Sequence, residues 1–155
     1  KNVELNQNMT NEEEKARIQK YYLSYYWMLR KAERLLDPEY IFSIHSFTRM
    51  YEGELREEEI GVLTSITEEP STEFLEEFNA LGIKAVKNKP YDGKDGLSVV
   101  VDGVVAGKQP LCRKGLLLEF GNDLLTDPAC FETIKKGFVQ AVKRILNSDT
   151  TSPKQ

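Results

Sequence analysis

Histidine is almost absent from this sequence, with His45 the single copy in 155 residues. Cysteine is nearly as scarce. Cys112 and Cys130 stand far apart with no Cys-x-x-Cys spacing, which argues against a disulfide framework or a cysteine zinc cluster and leaves both expected as reduced thiols. No apolar run approaches the roughly 18 residues that a membrane-crossing helix needs, and residues 1–8 lack the apolar stretch of a signal peptide. A membrane is therefore not an expected partner, and the cytoplasm or an organelle matrix is the expected compartment. A basic excess is missing too. Lysine and arginine total 21 against 25 aspartates and glutamates, for a formal charge of −4, so the surface lacks the cations that neutralise phosphates and nucleic acid is not an expected partner.

What is present suits one domain with a real core, because a chain near this length buries roughly two-thirds of its unfolded surface. Thr10-Asn11-Glu12-Glu13 has the form of a capping box and marks a helix start. Ile18, Tyr22, Tyr25, Leu29, Ala32 and Leu36 then recur at spacings of three and four up to Asp37-Pro38, predicting a long amphipathic helix whose aromatics, Trp27 included, belong to the core. Residues 40–45 read as a buried strand ending at His45, 59–65 as a second strand, and 71–81 as a helix capped by Ser71 and stopped by Gly82. Residues 83–86 form a short strand candidate. Residues 97–101 and 104–106 flank Asp102-Gly103, a pair suited to a type I′ hairpin.

Residues 115–120 are the most apolar run and should form a central strand. Asp127-Pro128 then supplies an N-cap and a first-turn proline, and Phe131, Ile134, Phe138, Ala141 and Ile145 give the following helix its buried stripe. The domain is expected to span 1–147, with 148–155 a polar, disordered tail. Alternating strands and helices support an α/β class with three layers.

A lone histidine at a strand end is more often a polar residue satisfied by a neighbour than a metal ligand. Here Ser46, Thr48 and Arg49 follow at once, making a polar loop at the carboxyl end of an apolar strand, where open α/β sheets place ligands. Glu119, inside Leu116-Leu117-Leu118-Glu119-Phe120, either points to solvent by strand alternation or is desolvated, where its pKa would rise toward that of a general base. Periodicity does not choose between these. Arg49, Arg56 and Arg113 are candidates for holding an acidic substrate through paired hydrogen bonds, although most arginines are ordinary surface residues.

Four ordered landmarks are Ile44-His45-Ser46-Phe47-Thr48, then Arg56 with Ile60-Gly61-Val62-Leu63, then Asn88 with Pro90-Tyr91, and finally Leu118-Glu119-Phe120-Gly121-Asn122-Asp123-Leu124-Leu125. Together they resemble the N-formylglutamate amidohydrolases, in order and spacing, over residues 21–146. The Glu119 strand also resembles the glutamate strand of the related zinc carboxypeptidases. The resemblance implies part of a three-layer αβα sandwich of the phosphorylase/hydrolase-like type. It implies a zinc-dependent reaction that hydrolyses a small acidic N-acyl amino acid, such as N-formyl-L-glutamate, to formate and the free amino acid. His45 would be a zinc ligand, Glu119 the general base, Arg49 or Arg56 the carboxylate anchor, and Asn88 and Tyr91 pocket residues.

The match is incomplete. A catalytic zinc takes three protein ligands, and the family's His-x-Gly motif is missing before Tyr21. The sequence is therefore expected to carry the C-terminal part of the amidohydrolase domain, with the remaining zinc ligands outside it on another segment or chain. Arg49 stands where the family has proline, and Gly121 where its Glu-x-Arg-Asn-Asp pattern has arginine. A histidine that the family often carries in the first helix is absent, with Tyr25-Tyr26 in that stretch. The alternative these departures support is a non-catalytic, degenerate subunit with a structural or assembly role in a larger complex.

Overall fold

The computed structural model describes residues 8–64, 70–93 and 114–151, and divides the chain into two units, Lys1–Pro38 and Glu39–Gln155. Several sequence expectations lie outside the described residues: the hairpin around Asp102-Gly103, the thiol of Cys112, the position of Arg113 and the last part of the expected tail, 152–155.

The first unit is helical. Thr10 forms the capping box as expected: its Oγ1 accepts from the Glu13 amide at 3.2 Å, and its own amide donates to the Glu13 carboxylate at 2.9 Å. Helix α1 (Asn11–Arg17) runs through a π-helical stretch at Ile18–Tyr22 into α2 (Leu23–Leu36). The wider turn shifts the register of everything after it, so the apolar stripe read at a single period does not stay on one face. The aromatics expected in a core are exposed, Trp27 at 58% and Tyr21, Tyr22 and Tyr25 likewise. Among the described residues of this unit the chain is one helical path, with no second layer against which to bury them.

The second unit is a mixed α/β fold built on a four-stranded sheet in the order β1-β6-β4-β5. The strands are β1 (Tyr40–Phe47), β4 (Ile60–Leu63), β5 (Ala85–Lys87) and β6 (Lys114–Gly121). The β1–β6 and β4–β5 pairs are parallel and the β4–β6 pair is antiparallel. A hairpin that the sequence reading did not anticipate joins β2 (Met50–Tyr51) to β3 (Glu54–Leu55). Its turn residues Glu52 and Gly53 both have positive φ, 53° and 85°, the type I′ geometry whose twist suits adjoining strands.

Strand alternation gives the sheet two chemically different faces. Ile60, Val62, Leu116, Leu118 and Phe120 point to one side, where they form a single apolar core with Phe74 and Phe78 of α3 (Ser71–Ala80), Leu124 of the short helix α4 (Asn122–Thr126), and Ile134, Ala141 and Ile145 of α5 (Pro128–Thr151). Each fully buried side chain of this size contributes about 1.5–3 kcal/mol. Glu119 projects from the other side of β6, together with Gly121.

Several boundaries differ from the sequence reading, most by one or two residues, and three of the differences bear on the argument. β1 continues to Phe47 because it pairs with β6 along its whole length, so His45 lies within the strand rather than at its end. Ser71 is not the cap of α3; that position falls to Pro70, which offers no side-chain hydrogen bond, and Ser71 is buried inside the first turn. Helix α5 runs to Thr151, past the expected end at 147, with the Ser148 hydroxyl donating to the Ile145 carbonyl at 2.7 Å. Nothing before Pro153 forbids helical continuation. The Asp127 cap of α5 is as read: its Oδ1 accepts from the amides of Cys130 and Ala129, which hold its carboxyl below the usual range. No helix among the described residues is long and apolar enough to cross a membrane.

Candidate functional site

The parallel register sets His45 directly beside Glu119, and the antiparallel register sets Gly61 on the other flank of Glu119. His45 Nδ1 lies 3.9 Å from Glu119 Oε1, with the histidine side chain 46% exposed and the glutamate side chain 4% exposed. Both alternatives for Glu119 are thus partly realised. Alternation turns it away from the helical core, yet it is desolvated all the same. Glu119 Oε2 is buried without a hydrogen-bond partner among the described residues, and burial pushes the carboxyl up to about 7. A carboxylate left without compensating donors in a dry site favours its protonated form, so near neutral pH this one can both accept and return a proton.

Gly61 shapes the space beside it. A Cβ at this position would collide with the Lys89 carbonyl oxygen and stand 3.3 Å from Glu119 Cβ. Only glycine lets the backbone after β5 lie across β4 next to the carboxylate. Asn88, with φ of 52°, anchors that crossing: its amide donates to the Val62 carbonyl and its Oδ1 accepts from the Thr64 amide, both at 3.0 Å. The Asn88 side-chain carbonyl is therefore spent on the backbone.

The two arginines play different parts. Arg56 Nη1 donates to the Thr48 carbonyl at 3.1 Å, and its guanidinium carbon sits 5.0 Å from the Tyr51 ring, 5.5 Å from that of Tyr91 and 5.7 Å from that of Phe47. Phe47 is two residues beyond His45 on β1, so this stack lies on the Glu119 face of the sheet. Tyr91 reaches the site as one wall of the Arg56 stack. Arg49, by contrast, is already engaged. Its Nη1 donates to Asp123 Oδ2 at 2.9 Å and lies 3.6 Å from Glu59 Oε1, and its side chain is 13% exposed. Two carboxylates thus hold the guanidinium that a substrate carboxylate would need.

Arg49 also accounts for Gly121. A Cβ at position 121 would fall 2.5 Å from Arg49 Cδ and 2.8 Å from Asp123 Oδ1, so the Arg49 stem fills the room that a side chain at 121 would take. The two departures from the amidohydrolase pattern, at 49 and 121, are spatially one feature. Gly121→Ala is expected to destabilise the chain by about 1–3 kcal/mol through overpacking, and to cost markedly less once Arg49→Ala has vacated the notch. Urea denaturation of the two single variants and the double variant measures the coupling; strictly additive effects would separate the two positions.

Asp123 and Glu59, which complete the Arg49 cluster, carried no role in the sequence reading. Asp123 stood within the quoted Gly121-Asn122-Asp123 run, and Glu59 at the first position of a strand candidate. Neither position signals the other, because the partners meet only in the folded chain.

The described residues bring the expected zinc ligand, His45, beside the expected general base, Glu119, and His45 is the one assigned ligand among them. They contain no group of three histidine, cysteine, aspartate or glutamate side chains placed to hold a metal ion. That set falls short of the three protein ligands of a catalytic zinc, so the described residues alone do not fit the metal.

No family model and no curated protein matches this sequence. Among solved structures, the chain is similar to the gene product Atu2144 from Agrobacterium tumefaciens, with a TM-score of 0.68 at 21% sequence identity over 93% of this chain. It spans 57% of the length of that protein. The likeness is one of fold: a mixed α/β sheet flanked by helices, matching part of a larger solved chain.

Proposed function

We propose that this chain carries the general-base side of an amidohydrolase site of the N-formylglutamate type, acting on a small acidic N-acyl amino acid. The observation that supports this best is Glu119, a buried carboxyl with a pKa of about 7, one oxygen toward His45 and the other without a partner among the described residues. In the proposed reaction Glu119 takes a proton from a water whose oxygen adds to the acyl carbon. The carbon–nitrogen bond then breaks, the proton passes from Glu119 to the leaving nitrogen, and formate and the free amino acid result. Arg56 is the better anchor for the substrate carboxylate, since Arg49 is held by Asp123 and Glu59.

The finer fold reading, part of a three-layer αβα sandwich, belongs to the same proposal. So does the zinc, with His45 as one ligand and the others outside the described residues; because the set is incomplete, no step is routed through the metal. The alternative, a non-catalytic subunit in a larger assembly, is favoured by the described residues holding no group of three side chains placed to bind a metal ion.

Formate release from N-formyl-L-glutamate, assayed on the chain with and without added zinc, tests the reading. Formate above background, lost in His45→Ala while the fold persists by circular dichroism, is the expected result. A folded chain that releases no formate and binds no zinc, alone or with the segment or chain that completes it, would overturn the enzyme reading and leave the assembly role.

A further inference from the structure

A second concavity lies apart from the His45–Glu119 pair. It has a volume of about 290 Å³ and is walled by Leu81, Ile83, Leu124 and Ile134, with Thr133 as a hydroxyl and Glu59 as its one charged residue. Its size is near the lower end of small-molecule pockets, which combine an apolar lining with a few polar groups that orient the ligand.

The electrostatics select the ligand's sign. Cys130 also lines the space, and its thiol is pushed up by burial first and then by the carboxylates of Asp127, Glu59 and Asp123. Asp127 is engaged with the amides at the start of α5 and Asp123 with Arg49, which leaves Glu59 as the carboxylate that lines the space. Metal is a poor match: the described residues offer no group of three side chains suited to an ion, and most of the wall is hydrocarbon. Glu59 has room for a new donor. Its Oε2 accepts from the Lys84 amide at 2.8 Å, whereas its Oε1 faces Arg49 Nη1 only at 3.6 Å, longer than a hydrogen bond.

We propose that this pocket binds a small primary amine with an apolar body, the ammonium pairing with Glu59 and the hydrocarbon lying against Leu81, Ile83, Leu124 and Ile134. Because Glu59 also faces Arg49, an occupant draws one carboxylate away from the cluster beside Gly121 and leaves Arg49 to Asp123. The site does not depend on the hydrolase reading.

Benzylamine and benzoate, which share a ring and differ in charge, are the probes. Titrated into the full chain and followed by amide and methyl NMR, benzylamine is expected to saturate with a Kd of about a millimolar, as its few heavy atoms allow. The shifts should concentrate at Ala129, Thr133 and Ile134. Glu59→Gln, which keeps an oxygen for the Lys84 amide, should weaken benzylamine at least about fivefold by removing the charge partner. Ala129→Leu, at an exposed helical position that tolerates leucine, should block the space and abolish binding while leaving the charge in place. Benzoate binding as tightly as benzylamine, affinity unchanged in Glu59→Gln, or no saturable shift at these residues would each overturn the proposal.

Discussion

Glu119→Gln is expected to lower formate release from N-formyl-L-glutamate by about a hundred- to ten-thousandfold, the usual contribution of a positioned general base, with little change in KM. The substitution keeps the size and shape of the side chain and removes only its ability to hold a transferable proton. Because the native carboxyl titrates near 7, the wild-type rate should rise through that region as the base ionises and level off above it. Steady-state kinetics from pH 5.5 to 8.5 on both proteins provide the comparison. A variant that retains activity within a few-fold, or a rate that is flat across neutrality, would remove Glu119 from the reaction.

The same carboxyl makes folding stability depend on pH in a direction opposite to that of most acidic residues. Below about pH 4.5 Glu119 is protonated whether the chain is folded or not. Between its ordinary value of 4.5 and its folded value of about 7, the unfolded chain ionises while the folded chain holds its proton. The unfolded state therefore gains, and stability falls as pH rises through this window, reaching a plateau above it. A difference of this size corresponds to about 3 kcal/mol. Asp127 acts with the opposite sign: its capping bonds depress its pKa, so its contribution is present above its unfolded value and lost on acidification. Urea denaturation at pH 5 and pH 8 should show the Glu119 loss in the wild type and not in Glu119→Gln. Equal slopes in the two proteins would mean that the carboxyl is not desolvated as described.

Much of the second unit was readable wherever one local signal sufficed. The apolar run before Gly121 makes a central strand because its residues fit a sheet interior, and Asp127-Pro128 starts α5 because cap chemistry is local. Gly82 stops α3 with the expected left-handed φ of 78°. Signals that depend on partners were read less well. The stripe in the first helix assumed one uninterrupted period, and the π-helical stretch at Ile18–Tyr22 breaks that period. Glu52-Gly53 has the same turn chemistry as Asp102-Gly103, but its two-residue strands fell below the length at which alternation is visible.

At the candidate site the pattern repeats. His45 and Glu119 stood out because each is chemically odd in an apolar strand. That they adjoin is a matter of register, which a single strand does not encode. Arg49 looked like a free cation because its partners, Glu59 and Asp123, are distant in sequence. The substitution of glycine at 121 looked like a loss until the Arg49 stem was found lying across it.

The parallel pairing of β1 with β6 also has a kinetic consequence. His45 and Glu119 stand far apart in sequence although they are partners in the sheet, and two parallel strands so separated meet only after a large loop has closed, which makes such pairings slow. β6 is also the strand that joins β1 to β4, so His45 and Glu119 adjoin only once the first strand of this unit has met one from much later in the sequence. In a chain stalled partway through folding, His45 and Glu119 would sit on separate fragments of sheet, with the carboxyl in water and titrating like an ordinary glutamate.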